Sequence, residues 1–526
     1  MNVALILSAR SAAHPERIAF VDAASQRTMT YAELDAASAR AAAALRAHGV
    51  RPGETVLILH PVGMELYVAL IGMLRAGIVP AIPPPGADRA ALAACARKHP
   101  PHAVLAGGMG WAALASVPAL RHARRFATAP SPFAADITGA RGTEKQRAND
   151  EVYACGDEEP AMLTFTSGST GEPKALVRSH GVARAQVEAL GAALALDEAT
   201  ALCTMPMVLL AELAAGATCL LPGIDLRRPA RADAVLLAER MRAHNVARIV
   251  ASPALLANLA AALRARGATL PALRLIASGG APVMPPLASA LRAVAPSARV
   301  LAVYGSTEAE PIAVLDADEV TARDHAAMRA GGGLLAGVPC AASSVAVVAT
   351  RSGAVHSPFA EDEAVERSAL PPYAVGEIVV SGAHVVAHYL DRAADATTKI
   401  RTGARIWHRT GDLGYRDERG RLWLAGRAAA ATDDARGTIE PLRVECALSY
   451  LPEIARSALA AADGARILVA EPRTGMRVDE RAVRAAVAFA PVDRVVIAPI
   501  PVDPRHNAKV DYAALHRLVR RYARAA

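Results

Sequence analysis

The sequence predicts an α/β fold: a large N-terminal domain with mixed, mostly parallel sheets flanked by helices, and a small mobile C-terminal α+β domain. Three observations support this prediction. The chain has 526 residues, enough for about three to five structural units that each bury a core. Helical and strand patterns alternate over roughly 400 residues. A stretch rich in Ala, Thr, Asp and Gly at 426–437 then indicates a linker.

The alternation of helix and strand patterns begins early in the chain. An Ala-rich helical pattern at 31–48 stops at Gly49, and a strand pattern at 55–59 precedes a helical one at 64–76. Downstream, we expect helices at 230–244 and 286–294 and strands at 247–251, 273–277 and 299–303. Strands separated by helices of about 10–15 residues indicate βαβ units with buried, parallel strands.

The end of the chain has a different pattern. Short strand patterns at 465–470 and 494–498 accompany helical patterns at 481–488 and 512–523, which together predict a small α+β unit. We therefore expect one domain at 1–426 and a second at 427–526, with the polar segment 128–160 as a surface connection inside the first.

Composition argues against nucleic acid as a partner, although the net charge is +8. The 50 acidic residues are interspersed with the basic ones, and aromatic residues, which stack on bases, make up only 4%. The basic residues are 53 arginines and five lysines. We interpret the charge as an arginine-biased surface, in which a lysine inside a motif carries more information than an arginine.

The sequence predicts a cytoplasmic protein without stable membrane insertion. Its six cysteines are far apart and form no CxxC pair, which favours a reducing compartment. The amino terminus has no basic lead-in, and Arg10 interrupts its apolar run, unlike a signal peptide. The most apolar segment, 56–85, is broken by His60, Pro61, Glu65 and Arg75, so no run of about 20 apolar residues exists.

The segment most suggestive of chemistry is 162–174, where a strand pattern at 161–165 runs into a loop rich in Ser, Thr and Gly. Small hydroxyls and glycine backbone can bind phosphate oxygens, and Lys174 adds a positive charge. The same composition also fits a solvated loop. The spacing differs from the GxxxxGK[ST] nucleotide loop, because Gly168, Gly171 and Lys174 are three residues apart and Ala175 follows the lysine.

This segment resembles the phosphate-binding motif of the adenylate-forming superfamily, which includes acyl-CoA synthetases, fatty acyl-AMP ligases, adenylation domains, luciferases and β-lactone synthetases. Further motifs follow in the family's order at 278–283, 303–308, 376–382, 408–412 and 426–427, and the last is 504–512. The resemblance covers essentially the whole chain. Taken singly, several of these motifs also fit ordinary turns.

The resemblance implies roles for individual residues. ATP phosphates would be bound by Thr166, Ser167, Gly168, Ser169, Thr170, Gly171 and Lys174. The adenine side would be formed by Gly280, Ala281, Pro282, Tyr304 and Gly305. Thr307 would contact the α-phosphate, Glu308 would hold Mg²⁺, and Asp412 with Arg427 would bind the ribose. Lys509 would bridge the carboxylate and the α-phosphate during adenylation.

Two departures from the family pattern narrow the expected function. Two positions beyond Arg427, where relatives have a charged hinge residue, this chain has Ala429, and the Lys/Gly-rich loop expected next is replaced by 430–437. That loop helps present a pantetheine thiol, so thioester formation is in question. The segment 204–213, rich in Met and Leu, lacks the aspartate that holds an amino group and suits an acyl chain, although a buried core is the alternative.

The expected activity is ATP- and Mg²⁺-dependent activation of a carboxylic acid, fatty or 3-hydroxy, to an acyl-adenylate with release of pyrophosphate. Transfer to an acceptor or closure onto a neighbouring hydroxyl would follow, in fatty acid metabolism. Coenzyme A or a carrier protein is the candidate acceptor. The alternatives are an acyl-CoA ligase that forms a thioester, and a nucleotide-binding scaffold without turnover.

Overall fold

The computed structural model describes residues 1–84, 86–132, 134–138, 151–167, 173–226, 228–350, 361, 363–502 and 509–524. Within it the chain forms two compact units. The first comprises Met1–Arg227, Glu239–Arg248 and Ala383–Asp395. The second comprises Arg228–Ala238, Ile249–Gly382 and Ala396–Ala526.

The first unit alternates helices with short strands. Its helices are α1 (Ala4–Ala13), α2 (Tyr31–Ala47), α3 (Met64–Arg75), α4 (Arg89–Lys98), α5 (Gly110–Ser116), α6 (His180–Ala193) and α7 (Pro206–Ala214). Its strands are β1 (Ile18–Asp22), β2 (Arg27–Thr30), β3 (Thr55–Leu59), β4 (Val79–Ile82), β5 (Ala103–Ala106), β6 (Arg124–Ala127), β7 (Ala135–Asp136), β8 (Pro160–Ser167), β9 (Pro173–Ser179), β10 (Thr200–Cys203) and β11 (Thr218–Leu221).

Strand pairing in the first unit is mainly parallel. One sheet has the order β7-β6-β5-β3-β4-β8-β9, in which β8 and β9 pair antiparallel. Strands β10, β11, β1 and β2 are hydrogen-bonded to one another in that order. Helix α2 begins at a capping box formed by Thr30 and Glu33, and nearly every side chain of α3 is buried. The apolar character of 64–76 therefore reflects a buried helix.

The second unit contains the remaining elements, except that α8 (Ala234–Ala243) belongs to it only up to Ala238 and continues in the first unit from Glu239. After α8, its helices are α9 (Pro253–Ala265), α10 (Pro285–Val294), α11 (Ala322–Arg329), α12 (Ala364–Arg367), α13 (Asp395–Thr398), α14 (Pro441–Leu448), α15 (Glu480–Ala486) and α16 (Tyr512–Arg524). Its strands are β12 (Arg248–Ala251), β13 (Leu275–Gly279), β14 (Arg299–Ser306), β15 (Ala309–Asp316), β16 (Leu334–Pro339), β17 (Ser344–Val348), β18 (Gly376–Ser381), β19 (Lys399–Thr402), β20 (Arg405–Arg416), β21 (Leu422–Arg427), β22 (Thr432–Asp434), β23 (Gly437–Ile439), β24 (Ile454–Ala462), β25 (Ala465–Pro472) and β26 (Arg494–Ile497).

The large sheet of the second unit changes from parallel to antiparallel pairing at β14. Its strands follow the order β17-β18-β20-β21-β16-β15-β14-β13-β12. Strands β13 and β14 are parallel, whereas β14, β15, β16, β21, β20, β18 and β17 pair antiparallel in turn. The mixed sheets flanked by helices confirm the predicted fold class. The alternation of helix and strand patterns in the sequence did not indicate the antiparallel strands.

The C-terminal part of the second unit is a three-stranded sheet, β24-β25-β26, between two helical layers. Side chains of α14 and α15 pack on one face, with Leu459 and Leu468, and α16 packs on the other, with Ala460 and Ile467. Strands β25 and β26 and helices α15 and α16 match the predicted elements. Strand β24 was not predicted, and the predicted linker at 426–437 contains β22, whose partner β23 begins at the last linker residue, Gly437.

Residues 427–526 all lie within the second unit, and the domain boundary at residue 426 stays a prediction. Among the helices of the described ranges, none has both the length and the apolar character needed to cross a membrane.

Candidate active site

A tight hairpin places Thr307 and Glu308 at its tip. Strand β14 ends at Ser306 and pairs with β15, with Ser306 opposite Ala309, so Thr307 and Glu308 are the two residues of the turn. The sequence predicted a strand followed by a turn here. The returning strand β15 fixes the direction of both side chains, because each strand holds one end of the turn.

Tyr304, Asp412 and Arg427 come together from three strands of the second unit. The Tyr304 hydroxyl donates to Asp412 Oδ2 at 2.8 Å, and Arg427 donates to Asp412 Oδ1 at 2.7 Å and to the Thr410 carbonyl at 3.0 Å. Asp412 and Arg427 are register partners on β20 and β21. The sequence therefore predicted three residues of one cluster, although it did not predict the bond between Tyr304 and Asp412.

The electrostatics of this cluster follow from its one carboxylate. Burial, with the adjacent Asp412, raises the pKa of Tyr304 well above its usual range, so the phenol stays protonated and donates. The negative charge of Asp412 raises the pKa of Arg427. The Arg427 side chain is 61% exposed and that of Asp412 18%. The arginine can therefore reach an incoming polar ligand while the carboxylate stays fixed.

The hairpin that carries Asp412 and Arg427 is stiffened at its far end. Arg421 donates to Asp417 at 2.8 Å and to Asp324 at 2.7 Å, and the Trp423 indole donates to Asp417 at 3.1 Å. Both carboxylates have lowered pKa values, because these hydrogen bonds outweigh burial. This buried network holds β20 against β21, and it therefore keeps Asp412 opposite Arg427.

A buried lysine next to His408 was not predicted as part of the site. Lys399 Nζ lies 3.4 Å from His408 Nδ1, and the two side chains are nearly fully buried on the paired strands β19 and β20. Burial, reinforced by Lys399, lowers the pKa of His408 to about 3, while Glu308 acts in the opposite direction. His408 is thus neutral beside a cation. The available signal was that Lys399 is one of only five lysines.

Two glycines near these residues have a positive φ, one in the connection after β13 and one inside β20. Gly280 has φ +80° directly after β13, and Gly411 has φ +70° between Thr410 and Asp412. Only glycine adopts this region freely. Gly280 is followed by Ala281 and Pro282, which lead into α10, so the predicted adenine-side loop is a strand-to-helix connection as expected.

Two hydroxyl groups in these segments are buried without a hydrogen-bond partner in the part of the chain that the structure describes. They belong to Ser278, just before Gly279 and Gly280, and to Ser306, just before Thr307. Buried polar atoms normally have a partner. A polar ligand group at the hairpin tip can satisfy Ser306, and this fits the binding of a nucleotide there.

In the first unit, Thr166 and Lys174 are register partners at the ends of β8 and β9. Lys174 Nζ lies 5.7 Å from the centre of the Tyr389 ring. The predicted phosphate loop is thus the connection of an antiparallel hairpin. Ser167 closes β8, and the predicted residues Gly168, Ser169, Thr170 and Gly171 lie outside the described residues.

Lys509 is exposed and lies three residues before α16. Its neighbour Val510 forms a bridge with Val502, and residues 503–508 are outside the described ranges. The bridge places Val510, the residue next to Lys509, beside Val502.

The segment 204–213, considered for acyl binding, forms most of α7 in the first unit. Met207, Val208, Leu209 and Leu213 are buried, and Glu212 makes a buried ion pair with Arg248 at 2.6 Å. These side chains belong to the core. The alternative interpretation of this segment is therefore the better supported one.

Comparisons with known proteins identify the family of the chain. A model of the AMP-binding enzyme family matches residues 7–390. The olefin beta-lactone synthetase of Stenotrophomonas maltophilia (strain K279a) is 33% identical over 515 residues, covering 92% of this chain and 90% of that protein.

Solved structures show the same fold. The amide bond synthetase McbA from Marinactinospora thermotolerans has a TM-score of 0.81 at 23% identity, covering 98% of this chain and 99% of that one. ATP-bound MatB from Rhodopseudomonas palustris has a TM-score of 0.77 at 20% identity, with 99% of each chain covered. The chain belongs to the AMP-binding enzyme family, and it is an adenylate-forming ligase that uses ATP to activate an acid before ring closure or transfer.

Proposed function

We propose that the acid is a 3-hydroxy fatty acid and that its adenylate closes to a β-lactone. The observation that carries this proposal is the 33% identity, across 92% of the chain, with an olefin beta-lactone synthetase. The reaction has two steps. A carboxylate oxygen attacks the α-phosphorus of ATP and pyrophosphate leaves. The 3-hydroxyl oxygen then attacks the acyl carbon, AMP leaves with the C–O electron pair, and the hydroxyl proton passes to solvent.

The nucleoside is proposed to lie at the cluster of Tyr304, Asp412 and Arg427. The Asp412 oxygens are anchored by Tyr304 and Arg427, and each keeps a lone pair that can accept from a ribose hydroxyl. The Tyr304 ring offers a flat face for adenine. Gly280, Ala281, Pro282 and Gly305 would line the same end of the base.

The phosphates and the metal are assigned to three other segments. Thr307, at the hairpin tip, would contact the α-phosphate, and Lys174 with the 166–171 segment would bind the outer phosphates. Glu308 would be the protein ligand of Mg²⁺, which neutralises charge on the phosphates when bound. Mg²⁺ commonly uses one or two carboxylates together with substrate phosphates.

Lys509 is proposed as the catalytic cation. An ammonium between the attacking carboxylate and the α-phosphate reduces the repulsion between two anions and orients them for in-line attack. Its position on the exposed loop before α16 suits a group that meets the substrates rather than the core. The division into domains at 1–426 and 427–526, and a location in the cytoplasm, remain part of this proposal.

Ring closure is favoured over thioester formation by the segment after Arg427. Ala429 is exposed in a short turn, Ala428–Ala430, and has no charge with which to anchor a second orientation. The β22–β23 hairpin presents Asp433 and Asp434 rather than lysines. The acyl-CoA ligase is therefore the second candidate, and a carrier protein the alternative acceptor.

The test is mass spectrometry of the products from ATP, Mg²⁺ and a panel of fatty and 3-hydroxy acids, with pyrophosphate exchange measured in parallel. We expect exchange with long-chain acids, and a product 18 mass units lighter than the acid only with 3-hydroxy acids, since one water is lost overall. Acyl-CoA as the main product when coenzyme A is added would instead establish the second candidate.

A pair of lysine variants separates an enzyme from a nucleotide-binding scaffold. Lys509→Ala should abolish exchange yet retain most of the ATP affinity, because the lysine acts on the transition state. Lys98→Ala is the matched control: Lys98 pairs with Asp391 at 3.7 Å and has no proposed role. Wild-type protein that binds ATP but supports no exchange with any acid would be a scaffold.

A further inference from the structure

The start of helix α16 is tied to helix α14 by a single side-chain bond. The Tyr512 hydroxyl donates to Glu445 Oε1 at 2.8 Å. The two helices lie on opposite faces of the β24-β25-β26 sheet, with Val444 and Leu448 in one apolar cluster and Leu515 and Val519 in the other. The bond therefore joins two layers that are otherwise separated by the sheet.

Lys509 is close in the chain to this bond. Two residues, Val510 and Asp511, separate Lys509 from Tyr512, and their backbone is fixed at several points. Val510 bridges to Val502, the Asp511 N–H donates to the Pro501 carbonyl at 2.9 Å, and the Asp511 carboxylate accepts from Ala514 N–H at 2.9 Å as the helix cap. Any movement of Tyr512 is thus transmitted to Lys509.

Helix α14 also contacts the strand that carries Arg427. A Cβ atom added at Gly426 would lie 3.2 Å from the backbone nitrogen of Leu442, so the first turn of α14 sits directly on the end of β21. Helix α14 therefore touches the proposed ribose side through Gly426 and the Lys509 segment through Glu445. Helix α14 is thus a rigid element that can set the position of the Lys509 segment relative to the proposed ribose side.

We propose that Glu445 and Tyr512 are positioning residues for adenylation, whose hydrogen bond holds Lys509 in register with the nucleotide-binding strands. This inference rests on the proposed role of Lys509. Neither residue needs to touch a substrate. Without the bond, the first turn of α16 keeps its apolar contacts through Leu515 and Val519 but loses its link to α14, so the lysine samples unproductive positions.

The test combines kinetics with hydrogen exchange in the full-length protein. Tyr512→Phe removes only the donor, and we expect the kcat of acid-dependent pyrophosphate exchange to fall about tenfold, as the loss of one hydrogen bond predicts. The KM for ATP should stay within about twofold of the wild-type value. Backbone amides at 509–514 should exchange deuterium faster, which reports on the segment independently of activity.

Three further variants identify the bond as the cause. Glu445→Gln keeps an acceptor oxygen and should retain most of the activity, whereas Glu445→Leu should behave like Tyr512→Phe. Tyr522→Phe is the matched control: Tyr522 is on the same helix and partly buried, and its hydroxyl makes no hydrogen bond within the ranges described. In a Lys509→Ala background, Tyr512→Phe should cause no additional loss.

The outcomes separate this inference from the proposed function. If Lys509→Ala is inactive while Tyr512→Phe matches wild type in kcat and in deuterium exchange, the positioning role is overturned and the proposed function stands. A Tyr512→Phe loss that persists in the Lys509→Ala background, or that appears equally in Tyr522→Phe, also overturns it. If Lys509→Ala is fully active, the proposed role of Lys509 fails, and the inference fails with it.

Discussion

At the scale of single residues, Asp412 is the central residue of the cluster that it forms with Tyr304 and Arg427. Both of its oxygens are engaged, one by the Tyr304 hydroxyl and one by Arg427, and its own N–H donates to Thr410 Oγ1 at 3.0 Å. Asn in this position keeps the size but loses the negative charge, and its NH₂ group faces a donor. Hydrogen bonds to charged groups contribute roughly 1.5–3 kcal/mol each.

We therefore expect Asp412→Asn to weaken ATP binding by about tenfold or more, as measured by calorimetry. Asp391→Asn, which alters an exposed partner of Lys98, is the control and should leave the affinity unchanged. Equal ATP affinities for Asp412→Asn and wild type would mean that the ribose binds elsewhere.

Glu445 predicts a pH dependence of stability. Burial raises its pKa from 4.5 to about 7, with the Tyr512 bond acting in the opposite direction. The folded state thus binds a proton more tightly than the unfolded state. The resulting stabilisation is complete below about pH 4.5 and is lost as the pH rises through 7.

The Glu445→Gln variant isolates this effect, since the amide does not titrate. Urea unfolding should give equal stabilities near pH 4.5 and a Gln variant more stable by on the order of 2 kcal/mol at pH 8. A difference that stays constant between pH 4.5 and 8 would contradict the raised pKa. Cys446, the adjacent titratable thiol, has its pKa raised to about 12 by burial and does not ionise in this range.

At the scale of elements, the β22–β23 hairpin depends on one buried arginine. Arg466 on β25 is 2% exposed, donates twice to Asp434 at 2.6 and 2.8 Å, and donates to the Gly437 carbonyl at 2.6 Å. Arg436 links Asp434 to Asp493. The hairpin is thereby fixed to the three-stranded sheet and moves with it.

Arg466→Met should free the hairpin, because Asp434 and the Gly437 carbonyl lose their buried donor. We expect a loss of stability on the order of 2 kcal/mol in urea unfolding and fast deuterium exchange at 432–439. Arg481→Met, an exposed arginine on α15, is the control and should change neither. Unchanged protection of the hairpin in Arg466→Met would show that the turn holds itself.

A helix or strand can be predicted from the sequence when the residues that determine it lie within its own segment. Helix α2 and strand β3 were predicted within one residue, because their apolar spacing and end residues lie within the segment. Strand β24 was missed, since its Ala-rich stretch has low strand propensity and is a strand through pairing with β25. Strand β15 was also not predicted, and it is held by pairing with β14 on one side and with β16 on the other.

The same distinction between local patterns and distant partners applies to the candidate site. Motif residues such as Asp412 and Arg427 were predicted from their order in the chain, and the structure places them in contact. The link of Tyr512 to Glu445 was not predictable, since the partners are 67 positions apart in the sequence and Glu445 belongs to none of the motifs. Lys399 could have been suspected from lysine scarcity, but its contact with His408 depends on the pairing of β19 with β20.

At the scale of the whole molecule, the excess of arginine over lysine, 53 against five, reflects the use of arginine as a structural cation. Arg248 and Arg466 are buried, and each makes paired bonds to a carboxylate. The planar guanidinium matches a carboxylate with two parallel bonds, which an ammonium cannot do. Three of the five lysines lie in or near the candidate site segments: Lys174 and Lys509 belong to sequence motifs, and Lys399 lies beside His408.

The folded protein should be stabilised by ATP, because the proposed nucleotide-binding residues Tyr304, Asp412 and Arg427 come together only when their strands are paired. A ligand that binds only the folded state stabilises it by about 2.7 kcal/mol at a hundredfold excess over its Kd. We expect Mg²⁺ and ATP to raise the thermal midpoint by a few degrees. Lys509→Ala should keep this shift and Asp412→Asn should lose most of it, since the first acts on the transition state and the second on nucleotide affinity. A shift of equal size in Asp412→Asn would place the stabilising contacts away from the Tyr304, Asp412 and Arg427 cluster.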